Sequence, residues 1–495
     1  MVRLFTNRED GKLVVPAKVW DHVDTLIDGQ PMFPFLRYLI FRTEDASNKD
    51  VIRFTWKRLD RLDITLDATD PFAEIDECSA ISREIVSRAP DLHSLTMFLS
   101  HDVDVPAAYF APMVDFHHLR YVCIEQGWVR MEAMSVFSKF PALEELVADI
   151  KSPEDDSEQL VFTGFVCLEK LYCIDISHAE QSGLKRRILE ACASSPLLSL
   201  KMGDDLEYSS VLTLEEWQPL CELIARQFPA LEEFTWRISR ISIDGLEPDE
   251  IVDNTNSSLL DAIESLLALR TLIIVDIDFG ALDVHLTDDF YSAIASAWPK
   301  LASLTFLCTP PDQARPELAT GVTPRTLAEF ARRCPSLVKL AIPFIHIAPD
   351  PNPESPGSNR NGTEGMQHPY NFSRRMLTVP KNDPPCTLPD AAAFPLMDHP
   401  LKELRFDCAL DAGAADAVGL GFILDRMFPS LTRMGSADRM WWGEHYRSPA
   451  EGQVDFWDGV LATVKICRRA RRNRDIVTLA EMMSEDAGGQ DQENT

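Results

Sequence analysis

Residues 140–150 read FPALEELVADI, and residues 228–238 read FPALEEFTWRI. Two near-identical phrases in one chain, separated by unrelated sequence, mark a repeated structural unit. The shared template is an aromatic or small residue, often with Pro, followed by L-x-x-L-x-Φ, where Φ is apolar. It recurs along the chain. FPFLRYLIF supplies Leu36, Leu39 and Phe41, and RLDRLDI supplies Leu59, Leu62 and Ile64. APDLHSLTM supplies Leu92, Leu95 and Met97, and FHHLRYVCI supplies Leu119, Val122 and Ile124. The first quoted phrase gives Leu143, Leu146 and Ala148; the second gives Leu231, Phe234 and Trp236. Between them lie Leu168, Leu171 and Cys173, then Leu197, Leu200 and Met202. Later copies fall at Leu269, Leu272 and Ile274, at Leu301, Leu304 and Phe306, at Leu337, Leu340 and Ile342, and at Leu401, Leu404 and Phe406. A degenerate last copy holds Leu431 and Met434.

The intervals between first leucines run from 23 (Leu36 to Leu59) to 38 (Leu231 to Leu269), with one outlier of 64 (Leu337 to Leu401). That outlier contains APDPNPESPGSNRNGTEG at 348–365, a Pro/Asn/Gly-rich stretch that reads as a loop insertion or a disordered segment over 348–390. Helical signals lie between many phrases. TLEEWQPLCELIARQF places Thr213 and Glu216 at capping-box spacing, with Trp217, Leu220, Leu223 and Ile224 on one face. TPRTLAEFARRC has Thr323 as an N-cap and Pro324 as first helical residue, and Thr287 plays the capping role in TDDFYSAIASAW. The unit is therefore helix, turn and short strand. In a strand, alternate side chains share a face, so the second leucine and Φ point inward while the first leucine anchors the turn. A buried Leu, Phe or Trp stabilises by about 1.5–3 kcal/mol, against about 1–2 kcal/mol for ordering each residue. One unit alone fails that comparison; a stack sharing contacts between neighbours passes it.

The totals narrow the function classes. Hydrophobic residues make up 45% and charged residues 25% of the chain, which is globular composition. There are 78 acidic against 48 basic residues, a net charge of −30. Such a surface repels phosphate backbones and anionic lipid heads, so nucleic acid and membrane are not the expected partners. The 11 cysteines are odd in number and include no C-x-x-C pair, as expected of reduced thiols in a cytoplasmic or nuclear protein. No apolar run approaches the roughly 20 residues needed to span a bilayer.

With these phrases the chain resembles the leucine-rich-repeat family, and in particular the F-box/leucine-rich-repeat-like proteins of mushroom-forming fungi. The resemblance covers roughly Val15 to Arg433, and CPSLVKLAI at 334–342 is similar to the cysteine-containing repeat subtype. It implies an α/β solenoid, a curved horseshoe with parallel β-strands on the concave face and helices on the convex face. About 13 irregular repeats would occupy 1–433, a C-terminal cap 434–478 and a disordered acidic tail 479–495. It also implies a non-enzymatic protein–protein interaction scaffold without cofactors. The finer implication is a substrate-recognition subunit of an SCF-type ubiquitin ligase, with the ligase adaptor as a partner. The alternative is an orphan regulatory scaffold with no ligase link. Two departures stand out. The repeat asparagine after L-x-L is mostly absent, and no L-P-x-E-[IV] helix pair of an F-box is recognisable: LVVPAKVWDHVDTLIDGQPMFPFLRYL already reads as the helix and strand of a first repeat.

No catalytic constellation emerges. His117 and His118 are adjacent and cannot share a face as co-ligands. HDVDV at 101–105 lacks the glycine and terminal glutamate of a calcium loop. VGLGF, with Gly419 and Gly421, lacks the third glycine of a dinucleotide loop. KICRRARRNR at 465–474 reads as an import signal, an acidic-partner patch or the solvated face of a final capping helix whose apolar side carries Trp457, Leu461 and Val464. MWWGEHY at 440–446 reads as a core plug or an exposed hot spot.

A partner on the concave face would meet the outward residues between the leucines. By alternation these include Phe98, Lys170, Glu233, Lys339 and Glu403. Aromatic and arginine side chains anchor interfaces, so the candidate binding residues are Tyr172, Arg237, Arg405, Tyr121 and Thr235.

Overall fold

In the computed structural model the described residues are 2–5, 17–27, 30, 32–43, 46, 48–67, 70–151, 164–173, 176–177, 181–203, 212–237, 241–242, 259–279, 287–307, 322–346, 394–410, 414–435 and 453–488. They divide into two compact units, Met1–Ala319 with Arg333–Ala341, and Thr320–Arg332 with Ile342–Thr495. The insertion read at 348–390 and the MWWGEHY stretch lie outside the described residues.

The first unit is built on a parallel sheet. Its strands are β1 (Val2–Phe5), β2 (Tyr38–Thr43), β3 (Arg61–Leu66), β4 (Ser94–Val105), β5 (Tyr121–Arg130), β6 (Glu145–Lys151), β7 (Lys170–Cys173), β8 (Ile176–Ser177), β9 (Ser199–Met202), β10 (Leu212–Thr213), β11 (Glu233–Arg237), β12 (Ile241–Ser242), β13 (Ile274–Asp278), β14 (Ser303–Leu307) and the start of β15 (Lys339–His346). The order is β1-β2-β3-β4-β5-β6-β7-β9-β11-β13-β14-β15; β8 pairs with β6, and β10 with β12 form a separate ribbon. Parallel neighbours require a crossover. Helices such as Ile75–Arg88, Leu214–Gln227 and Asp288–Ala297 supply it. Chain order and sheet order run together, which is the α/β leucine-rich-repeat solenoid expected from the phrases.

The register superposes the phrases. Leu62, Leu95, Val122, Leu146, Leu171, Leu200, Phe234, Val275 and Leu304 form one inward row, and all are buried. Two positions on, Met202, Trp236, Ile277 and Phe306 form a second buried row. The helices close over these rows. Trp217 meets Trp236 edge-on at 6.2 Å, Tyr291 packs on Phe306 at 6.0 Å, and Phe54 on Phe41 at 6.5 Å. The expected apolar face of Leu214–Gln227 is the observed one: Trp217, Leu220, Leu223 and Ile224 are all buried. The caps hold as well. Thr287 Oγ1 accepts from the Phe290 N–H at 3.3 Å, and Thr323 Oγ1 from the Arg325 N–H at 3.3 Å.

A backbone ladder ties one turn to the next. The Arg37 carbonyl accepts from the N–H groups of Asp60 and Arg61 at 2.8 and 2.9 Å, and the Asp60 carbonyl from those of His93 and Ser94 at 2.9 and 3.1 Å. The same double acceptance continues at His93, Arg120, Glu144, Glu169, Leu198, Glu232, Ile273 and Ala302. Main chain thereby satisfies the backbone groups at the entry to each strand.

The ladder also corrects one repeat. Its carbonyl is that of Ile273, so Leu272, Val275 and Ile277 take the phrase positions, not Leu269, Leu272 and Ile274. Ile274 faces outward and is 37% exposed. LALRTLIIVDI offers leucines at two offsets three residues apart, and only cross-strand pairing selects between them. A second difference is β1, which no phrase announced and which pairs in parallel with β2. A third is a break in register between β4 and β5 and between β5 and β6. There Gln126 adopts φ 65°, and a Cβ on Gly127 would come within 2.1 Å of Leu99 Cδ1.

The second unit pairs β16 (Glu403–Leu410) with β17 (Arg433–Gly435) in parallel. The Lys402 carbonyl repeats the ladder, accepting from Thr432 and Arg433 at 2.9 Å each. Leu401, Leu404, Phe406 and Leu431 are buried, while Met434 is half-buried, consistent with a degenerate last copy. Helices Ala414–Met427 and Gln453–Gly488 pack together. A Cβ on Gly421 would come within 2.6 Å of Thr463 Cβ, so this glycine permits close helix contact and no dinucleotide loop. Trp457 stacks on Phe406 at 5.0 Å, with Val460 and Val464 buried beside it. Val460 takes the place expected of Leu461, which is half-buried. The final helix runs on past residue 478.

Candidate functional site

In the first unit one face of the sheet lies opposite the helices. Strand alternation sends Tyr121, Glu145, Lys170, Tyr172, Lys201, Glu233, Thr235, Arg237 and Asp276 outward. The pairings of β7, β9, β11 and β13 align Tyr172, Lys201, Thr235 and Asp276 in one row. At about 4.8 Å between strands the row spans roughly 14 Å.

Charge pairs bridge neighbouring strands. Lys170 Nζ lies 3.1 Å from Glu145 Oε2, and Lys201 Nζ 2.9 Å from Glu233 Oε1. Ser199 Oγ donates to Glu233 Oε2 at 2.6 Å. Lys201 also stands over the Tyr172 ring at 4.6 Å. The hydrogen bond to Glu145 raises the Lys170 ammonium above its ordinary value. Burial raises the Tyr121 hydroxyl well above its ordinary value, helped by Cys123 and the Glu145 and Glu125 carboxylates. Burial likewise pushes the Cys123 thiol up to about 12. Burial holds the Asp276 carboxyl above the usual carboxylate value, against the pull of Arg237, Lys339 and Lys201. These groups can present charge and hydrogen bonds; nothing in their arrangement activates a nucleophile.

Four of the five sequence-predicted binding residues, Tyr121, Tyr172, Thr235 and Arg237, lie on this face, each half-buried. Tyr172 and Thr235 share the row with Lys201 between them, and Arg237 closes the end of β11. Arg405 belongs to the second unit, where it and Arg433 both pair with the buried Glu403. Lys201 and Asp276 were missed. Lys201 sits between Leu200 and Met202, so alternation alone would have found it. Asp276 was hidden by the register slip that turned Ile274 inward.

The other motifs resolve into structural contacts. His118 stacks on His93 at 5.8 Å, and His93 Nδ1 is 2.9 Å from Asp60. Asp104 of HDVDV pairs with Arg130 at 2.6 Å and Lys151 at 3.2 Å. In the basic run Arg468 donates to the Leu431 carbonyl at 2.5 Å and Arg471 pairs with Asp425. Among the described residues no His/Cys/Asp/Glu cluster could hold a metal ion, and no helix is long and apolar enough to cross a membrane.

No protein-family model matches the chain, and no curated protein matches it. Solved structures with similar folds include an internalin (inlF) of Listeria monocytogenes, at 11% identity and a TM-score of 0.27, covering 65% of this chain and 94% of that one. A plant peptide hormone receptor, RGFR1, solved with RGF2, aligns at 13% identity and a TM-score of 0.30, covering 63% of this chain and 50% of the receptor. A TDR receptor aligns at 9% identity and a TM-score of 0.19, covering 62% of this chain and 63% of that one. At such identities and scores the fold of this chain rests on its own register and backbone ladder, which make it a solenoid of the leucine-rich-repeat type.

Proposed function

We propose that the protein is a non-enzymatic protein–protein interaction scaffold that binds its partner along the outward rows of the first unit's sheet. The observation that carries this reading is the Tyr172–Lys201–Thr235 row, flanked by Tyr121 and Arg237. Aromatic and cationic side chains stand there at fixed spacing on a hydrogen-bonded sheet, the kind of rigid platform from which interface anchors act. Arg405 is proposed as a binding residue of the second unit taken by itself. The partner is a protein; the net charge of −30 disfavours nucleic acid and anionic membrane. The compartment is the cytoplasm or nucleus.

The test is affinity purification from the native organism with the wild-type chain and a Tyr172→Ala/Arg237→Ala variant, compared by quantitative mass spectrometry. Partners lost by the variant at unchanged circular dichroism support the face. An identical partner set for both chains overturns it. The finer reading, a substrate-recognition subunit of an SCF-type ubiquitin ligase, comes from the family resemblance. Recovery of the ligase adaptor with the folded chain supports it; partners without the adaptor leave the regulatory scaffold with no ligase link.

A further inference from the structure

The helix Gln453–Gly488 of the second unit carries a basic run that packing uses only in part. Residues 465–474 hold six Lys or Arg in ten positions, against 48 in 495 for the whole chain, and 459–474 hold no Asp or Glu. Two of the six serve the fold. Arg468 donates to the Leu431 carbonyl, and Arg471 pairs with Asp425, a buried carboxylate whose field reaches both arginines.

Lys465, Arg469 and Arg472 follow a second line at i, i+4 and i+7. It lies roughly 110° around the helix from the buried Trp457, Val460 and Val464. All three cations are exposed, and among the described residues none of them forms an ion pair. The helix itself cannot neutralise the first two. The positions three and four residues from Lys465 and Arg469 hold Leu461, Ala462, Ile466, Asn473 and further cations, never a carboxylate. The preceding acid on the same side, Asp458, is roughly 10 Å along the axis from Lys465. Like charges three and four residues apart on one helix repel and weaken it, so the folded chain alone leaves this cost standing. Ile466 is 68% exposed between Lys465 and Arg469.

The stripe attracts anions at contact even in a chain of net charge −30, because charges beyond a Debye length of about 8 Å are screened. Its length selects among them. From Lys465 to Arg472 is roughly 10 Å, enough for three carboxylates of a short segment. A nucleic acid strand would continue past the stripe onto a surface that is acidic on average. Carboxylates also match arginine two N–H groups at a time, and an apolar side chain of the same segment would cover Ile466.

We propose that the Lys465–Arg469–Arg472 stripe docks a short acidic segment of another protein, with carboxylates on the three cations and one apolar side chain on Ile466. This surface belongs to the second unit alone and does not depend on the sheet-face reading.

The test uses the full chain and rhodamine-labelled probes in fluorescence anisotropy. One is a helical peptide of about 15 residues with Glu at i, i+4 and i+7 and one Leu beside them; the others carry Gln or Lys in place of Glu. Saturable binding of the Glu peptide is expected, weakening as salt rises, with the Gln peptide about tenfold weaker. Lys465→Gln/Arg469→Gln/Arg472→Gln should lose about tenfold for the Glu peptide, and Ile466→Ser about threefold. Lys465→Glu/Arg469→Glu/Arg472→Glu should reject the Glu peptide and take the Lys peptide instead. Circular dichroism on each variant checks the fold. No saturable binding of the Glu peptide, equal binding of the Gln peptide, or unchanged binding in the triple Gln variant overturns the proposal. Tighter binding of oligo-dT than of the Glu peptide, lost in the same variant, overturns it in favour of nucleic acid. Sedimentation of the chain alone should be identical for wild type and triple Gln variant; self-association that the variant loses would make a second copy the occupant and overturn it as well.

Discussion

The Lys201 ammonium lies 4.6 Å from the centre of the Tyr172 ring, one strand away. The same ammonium is 2.9 Å from Glu233, so a single side chain joins three strands of the candidate face. Contacts of this exposed kind stabilise weakly, by about 0.5–1 kcal/mol. Lys201→Ala should therefore shift denaturant unfolding by no more than about 1 kcal/mol. It should nevertheless weaken partner capture as much as Tyr172→Ala does. A Lys201→Ala chain with wild-type capture argues against the row as the binding surface.

The corrected repeat makes Ile274 and Val275 opposites. Val275 is fully buried and Ile274 is 37% exposed. Val275→Ala should cost about 2 kcal/mol through lost burial and a residual cavity, whereas Ile274→Ala should cost less than about 1 kcal/mol. Equilibrium unfolding of the two variants side by side reads the register directly, and a reversed order would mean that the strand is offset by one residue.

Gly421 lies inside a helix, where alanine is normally better by about 0.5–1 kcal/mol. The 2.6 Å approach of Thr463 reverses that sign. Gly421→Ala is expected to destabilise by about 1–3 kcal/mol. Adding Thr463→Gly should recover part of the loss, giving a measurable coupling in a double-mutant cycle. A stabilised Gly421→Ala chain would show that the helices can separate without cost.

Asp276 sets a pH dependence. Burial raises its carboxyl pKa in the folded chain despite Arg237, Lys339 and Lys201. A folded pKa above the unfolded one means that the ionised form costs stability once pH exceeds both. Asp276→Asn should then raise the thermal midpoint at pH 7, with the gain shrinking as pH falls through the carboxylate range near about 4. A lower midpoint for the asparagine variant at pH 7 would mean that the three cations outweigh burial.

Thiol reactivity follows burial. Cys123 and Cys192 are pushed up to about 12 by burial, and Cys173 and Cys221 rise for the same reason. All four are protonated at pH 8. Iodoacetamide on the native chain should alkylate the half-buried Cys167 well before these, as peptide mass spectrometry would resolve. Equal rates at Cys192 and Cys167 would place that repeat in an opened form.

The solenoid was legible because its period is written in large apolar residues. Burial of Leu146, Leu171, Leu200 and Leu304 is dictated by strand alternation and needs no partner to decide it. Register was not fully legible. Where leucines recur at two offsets, as at 269 and 272, only the adjacent strands choose, and pairing with β11 selects the later one. β1 escaped because its helix-to-strand phrase is absent, and pairing with β2 alone defines it. On the candidate face, Tyr121, Tyr172, Thr235 and Arg237 could be read from alternation. The pairing of Lys201 with both Tyr172 and Glu233 could not, because it joins residues of three different repeats.

Because each turn is clipped to its neighbour by a main-chain oxygen, the residue that owns that oxygen is free in identity. Arginine, aspartate, histidine, glutamate, leucine, isoleucine and alanine all occupy the position. The margin of the sheet can thus be re-lettered, in charge or in bulk, without slackening the spine. A scaffold built this way can change its chemistry along one border faster than its core can tolerate change.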